Sequence, residues 1–196
     1  MIKRRANPWR TKSTVVVFET PWIRVDANAV SHVIAGDAIY GTVSFKKHSL
    51  GILPLSGSGD VWLVGQWRYP LRRWSWEIPE GGGDIDGDRL AEAQCELEEE
   101  TGLRAHRWDR WFEMDLSNSV TDESATVFLA RELEEISPSA RRAADATELL
   151  VVRKVSLHEA CQMVGRGEIR DAITIAALFA AQAAGLVEDP TRSLRA

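Results

Sequence analysis

The stretch from Gly81 to Gly102 constrains the fold more than any other. Three glycines, Gly81, Gly82 and Gly83, lead into Asp84-Ile-Asp-Gly87, and five glutamates follow between Glu92 and Glu100. Glycine and aspartate at this density read as a loop. Asp88 can accept hydrogen bonds from the first free amides of a helix, and Gly102 suits the left-handed residue that ends one. The spacing therefore predicts a helix from about Arg89 to Thr101. On a wheel of about 100° per residue, Leu90, Ala93 and Leu97 form an apolar stripe for the core, while Glu92, Glu96, Glu99 and Glu100 share an arc roughly 100° wide. Glu98 points elsewhere, to solvent.

Carboxylates spaced three and four apart on one helical face repel one another unless a cation neutralises them. Hard oxygen donors at this density suit Mg²⁺ or Mn²⁺. A solvated acidic face is the competing explanation, and the helix by itself divides the two evenly. The glycine run shifts the balance, because it lets backbone approach a metal or a phosphate directly before the acidic helix.

Around this segment the chain reads as sheet-rich. Ser13–Glu19, Trp22–Asp26, Ala38–Phe45 and Leu50–Leu55 are rich in β-formers. The turn cluster Ser56–Asp60 followed by Val61–Trp67 predicts a hairpin. Arg107–Met114, Ala125–Leu129 and Leu149–Val155 continue the strand pattern. Ser139–Thr147 is polar and Ala-rich and is expected to be a mobile loop. Ser156 or Leu157 opens a helix to about Arg166, and Asp171 caps a last helix from Ala172 to about Gly185. Helices inserted among strands, rather than alternating with them, indicate the α+β class.

Composition narrows the function classes. A net charge of −5 in 196 residues makes nucleic-acid binding through phosphates a poor fit. No apolar run approaches the roughly 18 residues that cross a bilayer, and the basic Met1–Arg10 lacks the apolar stretch of a signal peptide, so no membrane partner is expected. Cys95 and Cys161 lie far apart and outside any Cys-x-x-Cys spacing. They are expected as small buried hydrophobes in a reducing cytoplasm. His32, His48, His106 and His158 include no pair four apart, which argues against a histidine metal site.

The segment Gly81 to Leu103 resembles the box of the Nudix hydrolases: Gly, five residues, Glu, seven residues, Arg-Glu, aliphatic, any, Glu-Glu, any, Gly, aliphatic. Gly81, Glu96, Leu97, Glu99, Glu100, Gly102 and Leu103 fall in register. Two positions depart: the family's first Glu falls on Gly87 and its Arg on Cys95. In the family these look like a pair bracing the junction of loop and helix. Losing both leaves neither charge stranded, and Asp88 is expected to replace the Glu in part. Outside the box, Gly65–Pro70, Trp76–Gly81, Ser119–Glu123 and Gly167–Leu178 resemble segments of the branch that includes ADP-ribose and nucleotide-sugar pyrophosphatases. The likeness spans roughly residues 14 to 185.

The resemblance implies a Nudix-type α/β/α sandwich with a mixed sheet, preceded by a small N-terminal antiparallel sheet. Residues 1–48 would be a β-rich dimerisation segment and residues 49–196 the catalytic domain of a homodimer. It implies hydrolysis of the diphosphate bridge of a nucleotide sugar such as ADP-ribose, with Mg²⁺ as cofactor and Mn²⁺ as the alternative. Glu96, Glu99, Glu100 and the backbone carbonyl of Glu80 would hold the metal. Glu148 on the loop before the last strand would be the general base, with Asp145 second. Arg68 would grip a phosphate or ribose oxygen, and Glu77, Glu123 and Gly81 would contact substrate. Trp22 or Trp67 would stack on the base. Rival substrates are GDP-mannose, a UDP-sugar or a dinucleoside polyphosphate. A rival of another class, motivated by Gly87 and Cys95, is a non-catalytic nucleotide sensor.

Overall fold

A computed structural model describes residues 6–137 and 149–186. Ten strands and three helices follow in the order β1 (Trp9–Glu19), β2 (Ile23–His32), β3 (Gly36–Phe45), β4 (Lys47–Pro54), β5 (Asp60–Arg68), β6 (Arg73–Glu77), β7 (Glu80–Asp84), α1 (Arg89–Thr101), β8 (Leu103–Asp115), β9 (Ser124–Glu135), β10 (Val151–Ser156), α2 (Leu157–Gly165) and α3 (Ala172–Ala183). They make three sheets: β1-β2-β3, β10-β5-β6 and β7-β4-β9-β8. In the last, β4 runs parallel to β9 and antiparallel to β7, so the sheet is mixed. The expected α+β sandwich with a small N-terminal antiparallel sheet is the observed architecture.

Side-chain alternation along β4 explains the layering. Leu50 and Ile52 point to one face and pack with Ala93 and Leu97 of α1 and with Phe128 and Ala130 of β9. Leu53 points to the other face, where Val127 and Leu129 meet Ile173, Ala177 and Leu178 of α3 and Met163 of α2. The sheet is thus covered on both faces, which is why its central strands are buried almost without interruption. Gly51 has no side chain where Ile173 crosses it, so α3 lies close against β4.

The N-terminal sheet docks on the loop between β8 and β9. Val43 N–H donates to the Val120 carbonyl at 2.9 Å, the Tyr40 hydroxyl to the Ser119 carbonyl at 2.7 Å, and Phe45 N–H to Asp122 Oδ1 at 2.9 Å. Its outer strand β1 is exposed along its whole length.

Four expectations need correction. Gly81–Gly87 is not all loop: Glu80–Asp84 is strand β7, paired with β4 through Gly51↔Glu80, Ser49↔Gly82 and His48↔Gly83. Glycine disfavours a strand by itself, but here it lets a helix lie directly over the strand's face. The hairpin at Ser56–Asp60 closes only a Leu55↔Val61 bridge, because β4 and β5 belong to different sheets. Leu90 is 38% exposed and leaves the apolar stripe of α1, whose buried face is Ala93, Leu97 and Glu100. Cys95 and Cys161, which form no disulfide among the described residues, are half-buried rather than fully so, and burial pushes the Cys161 thiol up. Ser139–Thr147, Asp145 and Glu148 lie outside the described residues.

Candidate active site

Helix α1 is set by its ends. Asp88 accepts from Leu90 N–H at 3.0 Å and Ala91 N–H at 3.2 Å, and Gly102, at φ 71°, accepts the left-handed turn that releases the chain into β8. Between these caps the helix presents Glu96, Glu99 and Glu100 to an open cleft of about 1130 Å³. The cleft is also lined by Arg68 and Glu77 from β5 and β6, Glu80, Gly81 and Gly82 from β7, Glu123 before β9, and Asp171 at the start of α3. Arg68, Glu77, Glu80, Gly81, Glu96, Glu99, Glu100 and Glu123, scattered over more than fifty residues of chain, therefore meet on one surface.

Several contacts fix this surface. Glu100 is 3% exposed and one of its oxygens, Oε2, accepts from Glu80 N–H at 3.1 Å, which ties α1 to the start of β7. The Glu96 carboxylate lies over Gly81, where any Cβ would collide with it. Ser49 Oγ donates to Glu123 Oε1 at 3.1 Å. Arg68 Nε stands 3.0 Å from both oxygens of Glu77, so the expected phosphate fork already has a protein partner. Trp22 lines the cleft, with Lys47 Nζ 5.2 Å from its ring, whereas Trp67 is exposed and does not line it.

The Glu80 side chain turns toward α3. Thr174 Oγ1 donates to Glu80 Oε1 at 3.2 Å and accepts from Ile78 N–H at 2.9 Å, while Asp171 Oδ2 accepts from Thr174 N–H at 2.7 Å. Burial, then the Asp171 carboxylate and the hydrogen bond to it, then Glu77, push the Glu80 carboxyl well above the usual carboxylate range, against the pull of Arg68. Sequence reading gave Asp171 only a capping role. The signal for more was its place four residues from the start of a segment already singled out, Gly167–Leu178, but only the fold brings it to Glu80. Lys47, Ser49 and Asp115 were likewise unread as cleft residues.

Among the described residues, eight carboxylates and two cationic side chains line the cleft. An excess of that size repels an anionic substrate unless cations intervene, and the donors are hard oxygens of the kind Mg²⁺ and Mn²⁺ take. Among the described residues, no three His, Cys, Asp or Glu side chains already converge as a closed metal cage. Mg²⁺ does not require one, since it keeps several waters and uses one or two carboxylates together with substrate phosphates. The residues present fit a divalent cation on these grounds.

Comparison with known proteins agrees with this geometry. Residues 46–178 match the model of the NUDIX domain family. The ADP-ribose pyrophosphatase of Mycobacterium tuberculosis (strain ATCC 25618 / H37Rv) is 32% identical over 137 residues, covering 69% of this chain and 65% of the relative, just under two thirds of its length. The ADP-ribose pyrophosphatase of Bacillus subtilis (strain 168) is 34% identical over 134 residues, covering 67% of this chain and 71% of the relative. A crystal structure of an ADP compounds hydrolase superposes with a TM-score of 0.81 at 14% identity, covering 94% of this chain and 97% of that one, which speaks to the fold.

Proposed function

The chain belongs to the Nudix family, and on that premise we propose that it hydrolyses the diphosphate bond of a nucleoside diphosphate sugar such as ADP-ribose in a Mg²⁺-dependent reaction. The observation that carries this reading is the convergence of Glu96, Glu99 and Glu100 with Arg68, Glu77 and Glu123 on one cleft, over a strand of glycines that admits the Glu96 carboxylate. Two similar proteins bear the name ADP-ribose pyrophosphatase, which favours that substrate over GDP-mannose, UDP-sugars and dinucleoside polyphosphates.

Glu96, Glu99, Glu100 and the Glu80 carbonyl hold the cation in this reading, with Mn²⁺ as the alternative to Mg²⁺. When bound, the cation neutralises the diphosphate oxygens and polarises the attacking water. Arg68, steadied by Glu77, binds a phosphate or ribose oxygen, and Glu123 and the Gly81 backbone contact the sugar side. Trp22 offers the base a ring to stack on. The water attacks one phosphorus, the bond from that phosphorus to the bridging oxygen breaks, and the products are a nucleoside monophosphate and a sugar phosphate. Glu148 takes the water's proton, with Asp145 as the second choice.

Residues 1–48 form the dimerisation segment of a homodimer and residues 49–196 the catalytic domain. The exposed apolar side chains of β1 and β3, among them Val15, Val17, Phe18 and Ile39, support a second copy as their cover. The net charge of −5 and two cysteines without a disulfide among the described residues suit a cytoplasmic enzyme that does not bind nucleic acid. No helix among the described residues is long and apolar enough to cross a membrane.

The test is turnover of ADP-ribose, GDP-mannose and UDP-glucose with Mg²⁺, measured by release of phosphate from the products with a coupling phosphatase, beside Glu100→Gln. Loss of turnover by orders of magnitude in the variant supports metal-assisted hydrolysis and names the substrate. Tight ADP-ribose binding without turnover in excess Mg²⁺ overturns the reading in favour of a sensor.

A further inference from the structure

The family's acidic and basic positions at the junction of loop and helix are occupied by Gly87 and Cys95, yet the junction is not empty. Glu92, one turn before Glu96 on α1, fills it. A Cβ on Gly83 would collide with the Glu92 carboxylate, and a Cβ on Gly87 would stand 2.5 Å from Glu92 Oε1. That oxygen accepts from Asp84 N–H at 3.0 Å. The other oxygen, Oε2, lies 3.5 Å from Nε2 of His48. His48 is buried in β4, directly opposite Gly83 in the β4–β7 register. One carboxylate thus meets three elements: the helix that bears it, the end of the glycine strand, and the strand behind that one. Asp88, expected to stand in for the family Glu, is occupied instead with the first amides of α1.

We propose that Glu92, backed by His48, is a positioning residue that fixes the glycine strand Gly81–Gly83 against α1 and so sets the place of the Glu96 carboxylate over Gly81. The wheel groups Glu92 with Glu96, Glu99 and Glu100, but only the other three line the cleft. Glu92 acts from the side, through the backbone it holds. Two features make room for the arrangement. Gly83 and Gly87 both lack the side chain that would displace Glu92, and the missing acid at position 87 leaves the space that Glu92 takes. The inference rests on the reading of the cleft as a divalent-cation site that hydrolyses diphosphates.

The experiment measures Mn²⁺ affinity by electron paramagnetic resonance on the full chain, with kcat and KM for ADP-ribose in Mg²⁺ and thermal melts alongside. Glu92→Ala is expected to weaken Mn²⁺ by about tenfold, the effect of removing a partner that orients a metal ligand, and to lower kcat more than it raises KM. Glu92→Gln keeps an acceptor for Asp84 N–H and is expected to recover most of the loss. Gly83→Ala displaces the Glu92 carboxylate and is expected to weaken Mn²⁺ by itself, while the Gly83→Ala/Glu92→Ala pair binds no more weakly than Glu92→Ala. Glu98→Ala removes the same charge from the same helix, where it faces Arg104 at 2.8 Å, and is expected to leave Mn²⁺ affinity unchanged.

Wild-type affinity in a folded Glu92→Ala overturns the proposal, as does strict additivity of the Gly83 and Glu92 changes or an equal loss in Glu98→Ala. The hydrolase reading fails separately. A wild-type chain that binds Mn²⁺ but turns over no nucleoside diphosphate sugar overturns that reading while the affinity cycle still decides the role of Glu92.

Discussion

Arg68 Nε stands 3.0 Å from each carboxylate oxygen of Glu77, and Glu77 is only 3% exposed while Arg68 lines the open cleft. The pair therefore has a fixed end and a working end. Glu77, the last residue of β6, also meets Gln66 Nε2 of β5 at 3.5 Å. Charge-assisted bonds of this kind hold a long side chain in one rotamer that would otherwise be lost to entropy on substrate binding.

Removing the fixed end should disable the working end. Glu77→Ala is expected to raise KM for ADP-ribose by about tenfold, equivalent to one charge-assisted hydrogen bond of about 1.5 kcal/mol. It should also lower Tm, because a buried partner of the guanidinium is gone. Glu77→Gln, which keeps one acceptor, should fall between. Steady-state kinetics with a melt of each variant checks this, and an unchanged KM in Glu77→Ala would mean that Arg68 does not touch substrate.

His48 gives the fold an acid limit of its own. Burial, and then the nearby Arg89 guanidinium, hold its imidazole below the usual range, against the pull of Glu92. The unfolded chain then accepts a proton that the folded chain resists. The stability contribution is complete above the ordinary imidazole range and is lost as pH falls through it. Tm should drop between about pH 7.5 and pH 5 more in the wild type than in His48→Gln. Glu19, Asp37, Asp60 and Glu113 do not blur this window. Their carboxyls are held low by Lys46, Lys12, Ser58 and Arg110 respectively, so their contributions disappear only in more acid solution.

What the sequence made legible follows from whether the signal was local. Helix α1 could be read because Asp88, the acidic run and Gly102 all act within a turn of the residues they govern. The same holds for Asp171, which caps α3 as expected, and for Ser156, which caps a helix expected to open at Ser156 or Leu157; each accepts an amide three residues on. Strand β7 could not be read, because three glycines carry no strand preference and its pairing partner lies some thirty residues upstream. Strand β6 was missed for a similar reason: its alternating Trp74 and Trp76 sit between basic and proline-flanked segments. The direction of Glu92 was out of reach of any wheel. It depends on space left by Gly83 and Gly87, and that space exists only once β7 lies beside α1. The meeting of Glu80 and Asp171 is tertiary in the same sense.

Gly51 shows how closely the site depends on packing beneath it. A Cβ there would collide with Ile173 Cγ2 and stand 3.3 Å from Ile78 Cδ1. Ile173 follows Asp171 by two residues, so relief of that collision moves the start of α3, which lines the cleft. Gly51→Ala is expected to cost about 1–3 kcal/mol of stability, the range for overpacking a core. Denaturant unfolding checks the loss, and an unchanged midpoint would mean that α3 can slide over β4 freely.

Gly81 separates metal binding from stability more sharply. It lies in an edge strand, half-exposed, and the space in front of it holds the Glu96 carboxyl group and its neighbouring methylene. A methyl group at this position does not intrude on the hydrophobic core; it displaces the Glu96 side chain from the strand. Glu96 lines an open cleft, which leaves room for its carboxylate to move off the strand. Gly81→Ala is therefore expected to melt within a few degrees of the wild type. Its turnover of ADP-ribose should fall by roughly 10–100-fold and its Mn²⁺ affinity by a similar factor, the scale on which misplacing metal-site groups acts. Calorimetric titration with Mn²⁺ beside a thermal melt separates the two effects. A large loss of Tm would mean that Gly81 is needed for the strand itself, and wild-type Mn²⁺ affinity would remove Glu96 from the set of ligands.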